Sequence, residues 1–150
     1  MTKAQAIYYA VLGALSAAGS ALAQSLGGWD GLLQILVTLM AIDYALGVAL
    51  AVVWKQSRKT EDGAFESRAS VKGLFRKCGM LLCVLVAARL DPLFGGEGYV
   101  RTTVIFFFIA NEGFSMVENL GLMGLPMPQA LKNAFAQLRK KSGAEPENRE

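Results

Sequence analysis

Residues 104–121 read VIFFFIANEGFSMVENLG. The first six are as oily as a lipid tail, and the rest place Asn111, Glu112, Ser115, Glu118 and Asn119 where more hydrocarbon would be expected. At 100° per residue these five side chains fall within an arc of roughly 120° of a helix, with Phe114 and Val117 facing elsewhere. They form a stripe. Whether that stripe lies in water or in lipid decides what kind of protein this is.

Composition points to lipid. Apolar residues make up 53% of the 150-residue chain and charged residues only 18%, against about 25% charge in a typical soluble domain. Mean hydropathy is +0.37. The charges are also segregated: ionisable residues are nearly absent from 4–29, 31–54 and 78–88 and crowd into 55–77 and 132–150. A spanning helix needs about 20 mostly apolar residues, and four stretches qualify: 6–26, 32–54, 73–94 and 99–122. Trp29, Trp54 and Tyr99 fall at the ends of these stretches, where aromatic rings favour the membrane boundary.

Lysine and arginine set the orientation. Of the 15 basic residues, all but Arg89 and Arg101 lie in the N-terminus (Lys3), the loop 55–77 or the tail. Four crossings put those three segments on one side, and the positive-inside rule makes that side cytoplasmic. The expected architecture is thus all-α, with four membrane helices in residues 1–125, both termini inside, and 126–150 forming a cytoplasmic amphipathic helix with a disordered tail (SGAEPENRE). Lys3, the apolar run 7–15 and Ala21-Leu22-Ala23 also resemble a signal peptide cleaved near residue 23. Against cleavage, Ala10, Ala14 and Ala18 align on one helical line and Gly13, Ala17 and Ala21 on another. Such small-residue lines let helices approach closely in lipid, which favours a retained helix.

The basic segments have their own pattern. In 67–77, Arg68, Lys72 and Arg76 recur every four residues, followed by Lys77. In the tail, Leu131, Phe135 and Leu138 make an apolar stripe beside Lys132, Arg139, Lys140 and Lys141. Both read as helices able to lie on anionic headgroups, or as solvated basic faces that only fix topology.

Within the spans, a charged side chain at mid-membrane costs about 2.5–3.5 kcal/mol. The stripe from Asn111 to Asn119 should therefore face other helices of the chain, other copies of it, or an aqueous lumen. Asp43 raises the same question, with Gly47 one turn later allowing close approach. Arg89 is expected to snorkel outward near Asp91. The chain has no histidine, and Cys78 and Cys83, five apart on a helix, lie on different faces. No metal site, cofactor, disulfide or catalytic centre is expected, and the cysteines read as small hydrophobes.

Several segments together resemble the toxin-secretion/phage-lysis holin family: IDYALGVALA (42–51), SVKGLFRK (70–77), Leu90-Asp91 and IANEGFSMVENLGLMGLPMPQALKNAFAQL (109–138). The family's order NE, S, EN, G, P, P stands here at Asn111, Glu112, Ser115, Glu118, Asn119, Gly124, Pro126 and Pro128. Ala45-Leu46 departs from it, since members often carry a Leu-Thr pair before the glycine. The resemblance implies a non-enzymatic protein of the bacterial cytoplasmic membrane that oligomerises into lesions. Through these a separately encoded endolysin, or in some relatives a large toxin, crosses. The implied partners are the lipid bilayer and further copies of the chain, with no nucleic acid. Residue chemistry alone also leaves open a constitutive small channel or transporter subunit, with carboxylates at 43 and 112 in the ion path. It equally allows a membrane scaffold that recruits a cytoplasmic partner through the basic tail.

Overall fold

The structure, a computed structural model, describes residues 2–54 and 67–143. Lys55, Arg58, Lys59 and the end of the tail, including Arg149, lie outside the described residues. The elements are α1 (Lys3–Ser25), α2 (Gly31–Ala49) continued by a π-helical turn (Leu50–Trp54), α3 (Ser67–Leu90) with a 3-10 turn (Asp91–Phe94), α4 (Tyr99–Leu122) and α5 (Gln129–Lys141). The described residues contain no strand.

Three helical segments are long and apolar enough to cross a membrane: Lys3–Ser25, Gly31–Trp54 and Tyr99–Leu122. α3 falls short because Arg68, Lys72, Arg76, Lys77 and Arg89 all lie within it. The sequence reading split this region into a surface helix and a crossing that began at Gly73 and ran to Phe94. The structure has one unbroken helix from Ser67 to Leu90. No proline interrupts that stretch. Pro92 lies in the 3-10 turn that follows, where its missing N–H is no loss in a first turn.

α2, α3 and α4 form the core. Leu33, Leu36 and Met40 of α2, Met80, Val84 and Ala87 of α3, and Ile105 and Ile109 of α4 are buried. Each set recurs every three or four residues, the spacing that keeps one face of a helix against its neighbours. The N-termini of α2 and α4 lie side by side, and the C-terminus of α3 meets the start of α4. α2 and α4 are thus parallel, with α3 antiparallel to both.

Arg101 fixes this end of the bundle. Its guanidinium donates from Nη1 to Asp30 Oδ2 (2.6 Å), from Nη2 to Asp30 Oδ1 (3.2 Å) and Gly28 O (3.1 Å), and from Nε to Leu26 O. Asp30 also caps α2 by accepting from the Leu33 N–H at 2.9 Å. Asp91 in turn accepts from the Val100 N–H (2.7 Å) and the Arg101 N–H (3.2 Å). It thereby serves the open N-terminus of α4, which its own cap Gly98 leaves without a side-chain bond. Asp91 is buried and Arg89 exposed, so Asp91 works as a cap rather than as a companion of Arg89 at the boundary.

The Arg101 guanidinium, through its hydrogen bonds, holds the Asp30 carboxyl below the ordinary carboxylate range. That contribution to stability is complete above about pH 4. It is lost as the pH falls through the lowered folded-state value.

α1 is a different case. Thr2 and Gln5 close a reciprocal capping box at its start, yet no residue of the helix is buried. Ala10, Gly13, Ala14, Ala17, Ala18 and Ala21 are all exposed, and a Cβ added at Gly13 would meet nothing within 4 Å. Among the described residues the small-residue lines have no helix against them.

Gly27 joins α1 to this assembly at φ +88°, and a Cβ there would lie 2.6 Å from Arg101 Nε. Gly28 has φ +103° but open space around its Cβ position. Gly28→Ala should therefore cost backbone strain alone, on the order of 1–3 kcal/mol, and Gly27→Ala should cost more because it also displaces Arg101. Thermal unfolding of the two variants in detergent checks this, and a Gly27→Ala variant no weaker than Gly28→Ala would contradict it.

Candidate functional site: a buried ion cluster and a split polar stripe

The core stripes of the three helices each continue into a charged residue. On α2 the run Leu33, Leu36, Met40 leads to Asp43. On α3, Ala87, Val84 and Met80 lead back to Lys77, and on α4 Ile105 and Ile109 lead to Glu112. The same periodicity that packs the apolar layers therefore gathers two carboxylates and one ammonium. Asp43, Lys77 and Glu112 are only 4%, 8% and 2% exposed, so their interactions are scarcely screened by solvent.

The bonding is complete. Lys77 Nζ donates to Asp43 Oδ2 at 2.9 Å and to Glu112 Oε2. The Asn119 amide donates to the other Asp43 oxygen at 3.0 Å. No buried side-chain polar atom among the described residues lacks a hydrogen-bond partner. Each charge taken from water into hydrocarbon is costly, and only close opposite charges and hydrogen bonds offset that cost. One ammonium shared between two carboxylates, with an amide on the spare oxygen, is such an arrangement.

Lys77 is the main correction to the sequence reading, which grouped it with the membrane-surface cations Arg68, Lys72 and Arg76. Those three are exposed on α3. Lys77 falls one position off their four-residue rhythm and points into the bundle. The missed signal was its register with Met80, Val84 and Ala87.

The polar stripe of α4 divides. Glu112 and Asn119 turn toward α2 and α3 and are bonded there. Asn111 and Glu118 lie on the adjacent flank and are exposed, and Ser115, between the two groups, is half-buried. Asn111 stands midway along a helix of 24 residues, the depth at which an exposed amide would meet hydrocarbon in a lone inserted chain. Gly47 is half-buried on α2, one turn beyond Asp43.

α5 packs along α4. Its stripe Leu131, Phe135 and Leu138 joins the core, and the Phe135 ring lies over Gly113, with Phe114 6.3 Å away between ring centroids. Lys140 and Lys141 are exposed, while Lys132 and Arg139 are half-buried. Cys78 and Cys83 are free and on the exposed side of α3. No group of histidine, cysteine or acidic residues suited to a metal ion exists among the described residues.

Removing Lys77 would leave two buried carboxylates facing each other. Lys77→Met should therefore destabilise the fold by about 3–5 kcal/mol. The same change combined with Asp43→Asn and Glu112→Gln should recover most of that loss. Denaturant unfolding in detergent measures both, and a Lys77→Met variant as stable as the parent would contradict the buried cluster.

Relatives align with most of the chain's length. It is 37% identical over 118 residues to an uncharacterized protein of Halalkalibacterium halodurans, covering 75% of this chain and 82% of that one. An uncharacterized protein of Listeria innocua is 33% identical over 121 residues, 81% of each chain. A probable holin of Bacillus phage phi105 is 32% identical over 99 residues, 66% of this chain and 67% of its own. No solved structure matches the chain. The family comparison spans residues 20–140, from the end of α1 through α5, and by it the chain belongs to the bacteriophage holin family.

Proposed function

We propose that the protein acts as a holin. It collects in the bacterial cytoplasmic membrane, self-associates, and opens lesions that give an endolysin access to the cell wall. Family membership and the likeness to a probable phage holin support this reading. The observation in the fold that carries it is the exposed amide of Asn111, midway along an otherwise apolar span. Polar groups at such depth are stable against protein or water, not lipid. A lone chain therefore has reason to associate, and an assembly has residues able to line an opening.

The parallel arrangement of α2 and α4 supports four crossings with both termini inside. If both of those helices span, the chain must return between them, and α3 is the element that can do so. Its interior cation Lys77 is neutralised by Asp43 and Glu112, and Arg68, Lys72 and Arg76 gather toward the end that would meet cytoplasmic headgroups. α1, long and apolar enough to cross and unburied, would face lipid or a further copy through Ala10, Gly13, Ala14, Ala17, Ala18 and Ala21. The same pairing weighs against a constitutive ion channel, since both carboxylates that could have offered an ion pathway are bound to Lys77.

Inducible expression in a bacterial host, with membrane potential and leakage of reporters graded by mass followed together, tests the function. A sudden collapse of potential with escape of protein-sized reporter is expected. Asn111→Leu should delay or abolish the collapse while leaving the fold intact, because Asn111 is exposed and does not belong to the ion cluster. Cells that grow with sealed membranes at high parent expression would contradict the reading.

A further inference from the structure

Gly113 and Phe135 form a seat that the function above leaves unused. A Cβ on Gly113 would run into the Phe135 ring, so the contact depends on glycine at that position. Phe135 is buried there, and the linker after Leu122 brings α5 back along α4. The seat lies nine residues before the end of α4, about 14 Å along its axis. That places it well inside the hydrocarbon of an inserted helix, whose core is about 30 Å thick.

This position conflicts with the chemistry of α5. Lys132 lies three residues before Phe135 and Arg139 four after it, with Lys140 and Lys141 next. A docked α5 therefore carries cations alongside the middle of a membrane helix, from which they can only partly snorkel. Released, the same helix suits a headgroup surface, with Leu131, Phe135 and Leu138 turned to the acyl boundary and the cations to anionic phosphates. Burial of an aromatic ring favours docking and hydration of several cations favours release.

Release would uncover a flank of α4 distinct from the one that holds the ion cluster. Gly113 lies on it under the Phe135 ring, with the buried Ala110 one turn before, and backbones pack closely in lipid at small residues.

We propose that α5 is an autoinhibitory strap. Docked through Phe135, it occupies the Gly113 flank of α4; released to the membrane surface, it yields that flank to α4 of a second copy. The proposal rests on the reading that the chain acts by self-association, and it identifies the contact that keeps the resting form from assembling.

Full-length protein labelled with donor or acceptor at its N-terminal amine, in vesicles of phosphatidylethanolamine and phosphatidylglycerol, tests it by energy transfer between copies. Trypsin cleavage in the 139–141 region reports release of α5. Phe135→Ala should speed cleavage and raise association by at least about twofold, the gain expected when a docked state holding half or more of the parent is removed. Gly113→Leu should also speed cleavage, but it should lower association because it fills the seat a second helix needs. A chain ending at Leu125 should associate as Phe135→Ala does.

The opposite signs are the signature, since general loosening would move both variants the same way. The strap is overturned if Phe135→Ala and Gly113→Leu shift association in one direction, or if the shortened chain associates no better than the full one. Dye release from the same vesicles is read separately. Raised association without release supports the strap and counts against permeabilisation.

Discussion

Lys77 holds the bundle to a single arrangement. Packing of leucine, methionine, valine and isoleucine tolerates sliding and rotation among three helices, particularly in lipid, where the hydrophobic effect gives no preference for helix over lipid contact. An ammonium that must meet one carboxylate on α2 and another on α4 does not tolerate them. A rotation of α3 by one residue would carry Lys77 toward hydrocarbon and leave Asp43 and Glu112 opposed. Buried ion pairs are a weak source of net stability and serve better to fix a register.

The second polar lock, at the opposite level of the bundle, has a different character. Arg101 gathers Leu26, Gly28 and Asp30, while Asp91 caps the helix that carries Arg101. This joins the turn after α1 to the turn before α4. With the two locks at different levels, α2, α3 and α4 form one unit. α1 attaches to it more loosely, being unburied throughout, whereas α5 packs on α4 through Leu131, Phe135 and Leu138.

Much of this was legible in the sequence, and the exceptions have physical causes. The helices at 3–25, 31–54 and 99–122 follow from hydropathy alone, because long apolar runs have few other uses. Bunching of polar groups on α4 was visible from the angular positions of Asn111, Glu112, Ser115, Glu118 and Asn119. What they face was not, because a helical wheel cannot distinguish a neighbouring helix from a lumen. Lys77 was misread because a cation beside three surface cations resembles them in composition. Only its alignment with Met80, Val84 and Ala87 sets it apart, and the partners that make burial tolerable lie 34 and 35 residues away in sequence. The roles of Arg101 and of Gly113 were hidden for the same reason, since both depend on contacts between distant segments.

Lysine acylation mapped by mass spectrometry in intact membranes tests the central claim most directly. Lys72 and Lys77 share a helix and a reagent, and they differ in that Lys72 is exposed while Lys77 lies between Asp43 and Glu112. Lys72 should be modified readily and Lys77 protected, with protection lost on unfolding. Modification of the two lysines at equal rates in the folded protein would contradict the account.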